Sequence, residues 1–333
     1  MVSALAPPKP FKSYAELVAL LRGRGMAVTD AGRAERKLGQ VGYYRLSGYW
    51  YVCRALCRDE QGRAVLCSTT RRPRREDRFL AGTSFDKVFE LYLFDKRLRL
   101  LMLDAIERIE VHVRSVVAHE VGYHDPLAYQ DSRFINPKQT RNFPDRHTGR
   151  QRNAWSDWLQ RQNDQVSRSR EDCIDWHRKA NKAMPFWVVV EAWDFGTVSK
   201  YFEMLKGTYQ NRVCQRLGIN NAAVLKTWLQ ELNILRNRCA HHARIWNQTT
   251  SNPLPGLSDP YFHTLGMDAG AGSRLYGLIA VIWFLVRRIG PSSQWLHEIA
   301  NLIATKPDLP GCTFAVMGFP DESGFPGKLF GMN

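Results

Sequence analysis

Residues 84–120 carry apolar side chains at helical spacing along their whole length, and they constrain the fold more than any other segment. A pattern of this length predicts one long bent helix, or two stacked helices, ending near Gly122. No run of alternating apolar and polar residues longer than four or five stands out, so the sequence predicts an all-α fold. The residues that share the apolar face are Leu98, Met102, Ala105, Ile106, Ile109, Val113 and Val116.

Several other segments have the spacing or the end signals of helices. Ser13 is followed three residues later by Glu16, which is the capping-box pattern. Asp30 can cap a second helix, and Gly196 is expected to interrupt a later one. Residues 52–80 are expected to be irregular. The predicted helices are 13–22, 31–41, 184–205, 221–247, 276–289 and 292–304.

The helical pattern divides the 333 residues into three parts. Residues 1–83 are an N-terminal helical and aromatic region with a basic loop, residues 84–304 a helical domain, and residues 305–333 a surface tail. Within the domain, residues 123–182 are a basic insertion with short helices. Its tryptophans could form the core of a helical hairpin or stack on single-stranded RNA, and the sequence leaves both interpretations open. They are Trp155, Trp158 and Trp176.

The chain has a formal net charge of +15 at pH 7, and 34 of its 47 basic residues are arginine. Arginine suits bidentate phosphate contacts and stacking on bases. This balance favours a polyanionic partner, and nucleic acid rather than a membrane, although a solvated arginine-rich surface has the same composition. The loop residues that could contact an RNA backbone are Arg71, Arg72, Arg74 and Arg75.

The aromatic segment 42–51 offers a second candidate RNA contact. Tyr44 and Arg45 could form a platform on which bases stack, together with Tyr43 and Tyr49. Aromatic residues this dense are more often part of a core, so both interpretations stay open.

The remaining composition argues for a cytoplasmic protein. The seven cysteines show no paired C-x-x-C spacing, so we expect reduced, mostly buried thiols, no metal and no cofactor. The longest apolar stretch, residues 277–286, is shorter than the roughly 20 residues of a membrane helix. The first residues lack a basic segment followed by an apolar run, so no secretory signal is expected.

Residues 225–246 place polar groups opposite an apolar helical face. His241 points away from that face, and Asn237, one turn earlier, can hydrogen-bond an imidazole nitrogen and so select its tautomer. Arg236 is long enough to reach the same side. Such a histidine can exchange a proton with ribose or with the leaving oxygen, and such an arginine can stabilise charge on the phosphorus oxygens. These groups suit cleavage of a phosphodiester, and an exposed polar surface is the plain alternative.

The sequence around these residues resembles the R-N-x-x-x-H signature of HEPN-fold ribonucleases, most closely the branch formed by the abortive-infection (Abi) proteins of bacterial phage defence. The resemblance implies an all-α, HEPN-like bundle that cleaves RNA without metal and leaves 2′,3′-cyclic phosphate ends. It assigns charge stabilisation to Arg236, orientation of the imidazole to Asn237 and acid or base catalysis to His241. Further matches follow in the family's order at residues 42–50, 94–99, 106–110, 185–196 and 274–277.

Two alternative sets of catalytic candidates also have an arginine followed by a histidine at short spacing. His242 lies one residue beyond His241 and ranks second to it. Arg114 precedes His119 by the same spacing. It could complete a composite site, as paired HEPN units do in type VI CRISPR effectors, or it could simply form an ion pair with Glu110 on its own helix.

Three more residues are candidates around the motif. Glu191 matches a family position and could pair with Arg236, or it could be a plain surface carboxylate. Arg238 and Arg244 could contact RNA. HEPN enzymes usually bring two copies of the motif together across a dimer, so the resemblance also implies a homodimer.

Two functions follow from these observations. The first is a metal-independent endoribonuclease toxin of a phage-defence system. The alternative is an RNA-binding protein that assembles with a small noncoding RNA, which restrains or guides it. The net charge of +15 exceeds what a small active site needs, and this favours keeping the alternative.

Overall fold

A computed structural model describes residues 8–70, 72–145, 148–149 and 151–332, and these residues are mainly helical. The all-α class predicted from the sequence is confirmed. The helices of the described residues are α1 (Tyr14–Gly23), α2 (Ala31–Val41), α3 (Tyr43–Trp50), α4 (Phe85–Gly122), α5 (Ala154–Arg168), α6 (Asp172–Lys179), α7 (Phe186–Val189), α8 (Phe195–Met204), α9 (Gly207–Arg216), α10 (Ala222–Ala240), α11 (Pro260–Leu265), α12 (Ala269–Gly272), α13 (Leu275–Ile289) and α14 (Trp295–Ala304).

Local capping signals set the first helices where the sequence predicts them. The backbone N–H of Glu16 donates to Ser13 Oγ, and the N–H of Ser13 donates to the Glu16 carboxylate, which completes the capping box of α1. Asp30 caps α2 by accepting from the N–H of Arg33. Gly42 alone separates α2 from α3 and has φ +90°, a conformation that favours glycine.

The described part of residues 52–80 contains short β-structure, so the expectation of an irregular segment is wrong there. Strand β1 (Arg54–Leu56) pairs antiparallel with β2 (Arg75–Phe79), with Arg54 opposite Phe79 and Leu56 opposite Arg75. Strands of three and five residues are too short to show an alternating pattern in the sequence. A second small pair, β3 (Phe143–Pro144) with β4 (Gln151–Arg152), lies in the insertion.

The predicted helix 84–120 is one helix, α4, of 38 residues, and its whole predicted apolar face is buried. The chain forms two compact units, and the division between them falls within α4. The first unit runs to Leu98 and includes Asn301–Val316 and Asp321–Gly324. The second unit comprises Arg99–Ala300, Met317–Pro320 and the described residues from Phe325 onward.

The insertion uses two of its three tryptophans as core. Trp155 and Trp158 are buried and stacked, with ring centroids 5.3 Å apart, and Trp158 Nε1 donates to the carbonyl of Thr197. Trp176 is 54% exposed, and Lys182 Nζ lies 4.8 Å from the centre of its ring. Only the third indole therefore remains accessible for stacking.

The predicted interruption at Gly196 is wrong by a few residues. The break comes before it, and Asp194 begins the new helix α8 by accepting from the N–H of Thr197 at 2.7 Å. Gly196 lies in the first turn of α8, where glycine interrupts little because the N–H groups lack helical partners in any case.

Among the described residues, no helix combines the length and hydrophobicity needed to cross a lipid bilayer.

Candidate functional site

Helix α10 carries the candidate catalytic residues Arg236 and Asn237 close to its C-terminal end. Asn221 caps the helix by accepting from the N–H groups of Ala223 and Val224. The apolar face predicted from the sequence is buried and fixes the rotation of the helix about its axis. Its buried members are Leu225, Trp228, Leu229, Leu232, Leu235 and Cys239.

The helix ends at Ala240, so the prediction that it continues to residue 247 is wrong. His241 is the C-cap, and its N–H donates to the carbonyl of Asn237 at 2.9 Å. The N–H of His242 donates to the carbonyl of Cys239, and that of Ala243 to Arg238, which is the Schellman pattern. His242 occupies the position where glycine is usual, with φ +57°. Histidine enters this left-handed region more readily than most residues.

Buried charged side chains anchor the chain that follows α10. Arg99 of α4 is 4% exposed, and its Nη1 donates to the carbonyl of Ala243 at 3.3 Å. Glu231, 1% exposed, accepts from the N–H groups of Ser251 and Asn252. The turn at Ala243 is therefore anchored by a side chain distant in sequence, whereas Glu231 anchors the later segment at Ser251 and Asn252.

Glu110 of α4 joins two arginines, and we call Glu110, Arg114 and Arg236 the Glu110 cluster. Its carboxylate contacts Arg114 one turn further along α4, and its Oε2 lies 3.8 Å from Nε of Arg236 on α10. Glu110 is 7% exposed, whereas the Arg236 side chain is 40% exposed. The carboxylate therefore orients Arg236 and offsets part of its charge, while part of the guanidinium still reaches solvent.

Glu191 is not the carboxylate beside Arg236. It is exposed, in a 3-10 turn that spans Val190–Ala192, and the partner of Arg236 is Glu110. The sequence carried a signal for Glu110, because this carboxylate borders the predicted buried face of α4 next to Ile109. A carboxylate in that position needs a cationic partner. The sequence did not show that a second helix supplies one.

Arg236 and His241 lie on different sides of α10. Five residues of helix separate side chains by about 140° around the axis and about 7.5 Å along it. Asn237, His241 and His242 are exposed. Among the described residues, no side-chain hydrogen bond joins Asn237 to the His241 ring. The two residues are linked instead through their backbones.

A model of one protein family, described as Abi-like protein, matches residues 36–247, nearly two thirds of the chain. The chain belongs to the Abi-like protein family. The match includes the Glu110 cluster and both histidines after α10. No curated protein matches the chain, and neither does any solved structure. Family membership suggests an abortive-infection, or phage-defence, role.

The candidate RNA contacts of the Abi-like protein differ in exposure. Tyr44 and Arg45 are exposed, whereas Tyr49 is buried and its hydroxyl donates to Asp95 at 2.7 Å. Tyr43 is half-buried against Trp50. The aromatic segment therefore serves both as core and as surface.

The basic loop of the Abi-like protein shows a similar division. Arg72 and Arg74 are exposed, whereas Arg75 is half-buried and donates to the carbonyl of Arg54. Arg71 lies outside the described residues.

Three further candidates lie around the motif and on α4. Arg238 donates to the carbonyl of Thr249 at 3.0 Å, so it anchors the turn after α10, and Arg244 is half-buried. His119 is 69% exposed, and its Nδ1 lies 3.4 Å from Glu120. Of the pair Arg114 and His119, only Arg114 therefore belongs to the Glu110 cluster.

All seven cysteines of the Abi-like protein are free thiols, and four of them are buried. Within the described ranges, no group of three or more His, Cys, Asp or Glu residues is placed to hold a metal ion.

Proposed function

We propose that this Abi-like protein is a HEPN-type endoribonuclease that acts as a toxin in phage defence. The observation that carries the proposal is the Glu110 cluster beside the R-N-x-x-x-H segment. It gathers Arg114 and Arg236 from two helices, and the helix that supplies Arg236 ends in the exposed His241. A guanidinium held in place, followed by an accessible imidazole, suits the chemistry of a phosphodiester.

In the proposed reaction, the ribose 2′-oxygen attacks the adjacent phosphorus atom. An imidazole accepts the 2′-hydroxyl proton, the bond from phosphorus to O5′ breaks, and a protonated imidazole donates a proton to the departing O5′. Arg236 stabilises the negative charge that develops on the phosphorus oxygens. The products are a 2′,3′-cyclic phosphate and a 5′-hydroxyl end.

A second copy of the chain completes this site. Within one chain, Glu110 holds Arg236 on the α4 side of α10, whereas His241 leaves the helix on another side. Two α10 ends brought together would supply two imidazoles, one for each proton transfer. We therefore propose a homodimer with the two motifs facing each other.

The decisive experiment measures cleavage of end-labelled RNA by the purified full chain in EDTA. We expect products with cyclic phosphate ends, and no cleavage of the same RNA carrying 2′-O-methyl riboses, since the nucleophile is then blocked. His241→Ala should be inactive. His263→Ala is the matched control, because His263 is also exposed and lies in the last turn of α11. Cleavage of the methylated RNA, or equal activity of both variants, would refute the mechanism.

A ribonucleoprotein is the second candidate function. The exposed Tyr44, Arg45, Arg72 and Arg74 in the first unit favour it, because they extend the possible RNA contacts beyond the catalytic residues. Sequencing of the RNA that co-purifies with His241→Ala tests this function. One abundant small RNA supports it, and a mixture that mirrors cellular RNA counts against it.

A further inference from the structure

A cleft in the first unit lies between the chain before α1, helix α1 itself and the start of α3. Its volume is about 650 Å³, within the roughly 300–1,000 Å³ of ordinary ligand sites. A smaller cavity of about 210 Å³ adjoins it and shares Tyr43 and Tyr44 as lining residues. We call the larger space the aromatic cleft, after four of its residues: Phe11, Tyr14, Tyr43 and Tyr44.

Three of these rings present their surfaces to solvent. Phe11 is 93% exposed, Tyr44 72% and Tyr14 51%. Exposed aromatic rings lose apolar hydration when a flat partner stacks on them, and every nucleobase offers such a face. The aromatic cleft therefore has the surface of a stacking site.

The fourth ring is held in place before any ligand arrives. Tyr43 makes an edge-to-face contact with Trp50 at 5.1 Å, and Arg24 Nη1 donates to its hydroxyl at 3.4 Å. Gly42, with φ +90°, sets the tight joint that presents Tyr43 and Tyr44 side by side. This side of the aromatic cleft is already ordered before a ligand arrives, so binding there costs little conformational entropy.

The lining is also positively charged. Lys9, Lys12 and Arg24 line the aromatic cleft, against the single carboxylate of Asp77. Asp77 is paired with Arg24 at 2.8 Å and with Arg54 at 2.9 Å, so its charge is already offset. The lysines leave the cleft net positive, which suits a ligand that carries phosphate next to a flat ring.

We propose that the aromatic cleft binds an unpaired nucleotide of single-stranded RNA, with the base stacked on the exposed rings and the phosphate near the lysines. This inference rests on the proposed function for RNA as the partner. It adds a binding site in the first unit, whereas Arg236 and His241 belong to the second unit. Bases in a duplex are already stacked on their neighbours and paired, so they would enter only at the cost of unpairing. A neutral apolar peptide would leave the lysines without a partner.

The test uses the full chain carrying His241→Ala, so that bound RNA is not cut, and a short oligoribonucleotide containing 2-aminopurine. Tyr44→Ala should weaken binding about five- to a hundredfold and should abolish the quenching of 2-aminopurine fluorescence. Tyr44→Phe keeps the ring and should keep both. Tyr123→Ala is the matched control, because Tyr123 is 78% exposed and belongs to the second unit. Lys12→Ala should reduce the log–log salt slope by about 0.7.

The outcomes separate the two proposals. If RNA binds but Tyr44→Ala binds as tightly as Tyr123→Ala, the aromatic cleft is not a nucleotide site, and the proposed ribonuclease stands. If Tyr44→Ala weakens the binding of a blunt RNA duplex as much as the binding of the single strand, the proposed preference for unpaired bases is wrong. If no RNA binds even the parent chain, both proposals fail.

Discussion

Nε of Arg236 on helix α10 lies 3.8 Å from the carboxylate of Glu110 on helix α4. That carboxylate also contacts Arg114, so one buried negative charge holds two guanidinium groups. Arg236 is the residue that the family resemblance assigns to charge stabilisation. Its nearest charged partner therefore comes from α4 rather than from its own helix.

Arg236→Ala and His241→Ala should each lower the rate of RNA cleavage by a factor of about 10²–10⁴. The two residues act on one transition state, so the double variant should be little slower than either single variant. Arg108→Ala is the control for the arginine, because Arg108 is 42% exposed and ion-paired with Asp104. Its rate should match that of the parent chain. A double variant slower by the product of both factors would show that the residues act independently.

Mixing the parent chain with His241→Ala tests the shared site. If each active site takes one imidazole from each of two copies, mixed dimers keep only one His241 and should be inactive, so activity should fall more steeply than the fraction of parent chain. The measurement is cleavage rate against mixing ratio at constant total protein. Activity that falls only in proportion to the parent fraction, in a chain that sediments as a monomer, would contradict the dimeric site.

Glu110→Gln should lower both stability and activity. It leaves two arginines without their counter-charge, and we expect a loss of about 1–3 kcal/mol in the free energy of unfolding. Cleavage should slow less than in Arg236→Ala, since the guanidinium remains but is poorly oriented. Urea denaturation and single-turnover rates measure the two effects. Glu107→Gln, an exposed carboxylate on the same helix, is the control and should change neither.

His242→Gly should be more stable than His242→Ala by about 1 kcal/mol. Both variants lose the imidazole, but only glycine adopts φ +57° without strain. Denaturation midpoints of the two variants give the difference. Cleavage by His242→Gly also decides the register of the motif, because activity should persist if His241 is the acid or base and disappear if His242 is.

The stability of the chain should fall as the pH drops below about 6.5, partly through His112. Burial and the nearby Arg216 lower the pKa of the His112 imidazole. The unfolded chain then takes up a proton at a higher pH than the folded chain, so acid favours unfolding across that interval. His112→Gln removes this contribution. Equal losses of unfolding free energy between about pH 7 and about pH 5.5 in both proteins would contradict the assignment.

Replacing Arg72 and Arg74 by Ala should make RNA binding less sensitive to salt. Both are exposed in the basic loop, and each phosphate contact to single-stranded RNA contributes about 0.7 to the log–log slope. Affinity measured by fluorescence anisotropy at several salt concentrations gives the slope. An unchanged slope would exclude these two arginines as phosphate contacts.

The sequence by itself determined the first helices, the long helix α4 and the buried faces of α4 and α10. The side chains of Ser13 and Asp30 cap their helices by accepting from backbone N–H groups three residues further along the chain, and the apolar stripe of α4 repeats every turn. Such signals are local, so they survive without any knowledge of the fold. The apolar face of residues 225–246, together with the family resemblance, also identified Arg236 and His241 as candidates.

Only the tertiary structure decided where α10 ends and which groups its polar residues meet. A helical wheel can be drawn past the end of a helix, but His242 leaves α10 in a left-handed turn whose next residue, Ala243, is held by Arg99 of α4. Likewise, periodicity does not show that Glu110 of another helix is the partner of Arg236, since a pattern defines a buried face and not what covers it. Pairings between distant segments depend on packing, and that is why the orientation of the candidate catalytic arginine could be seen only in the folded chain.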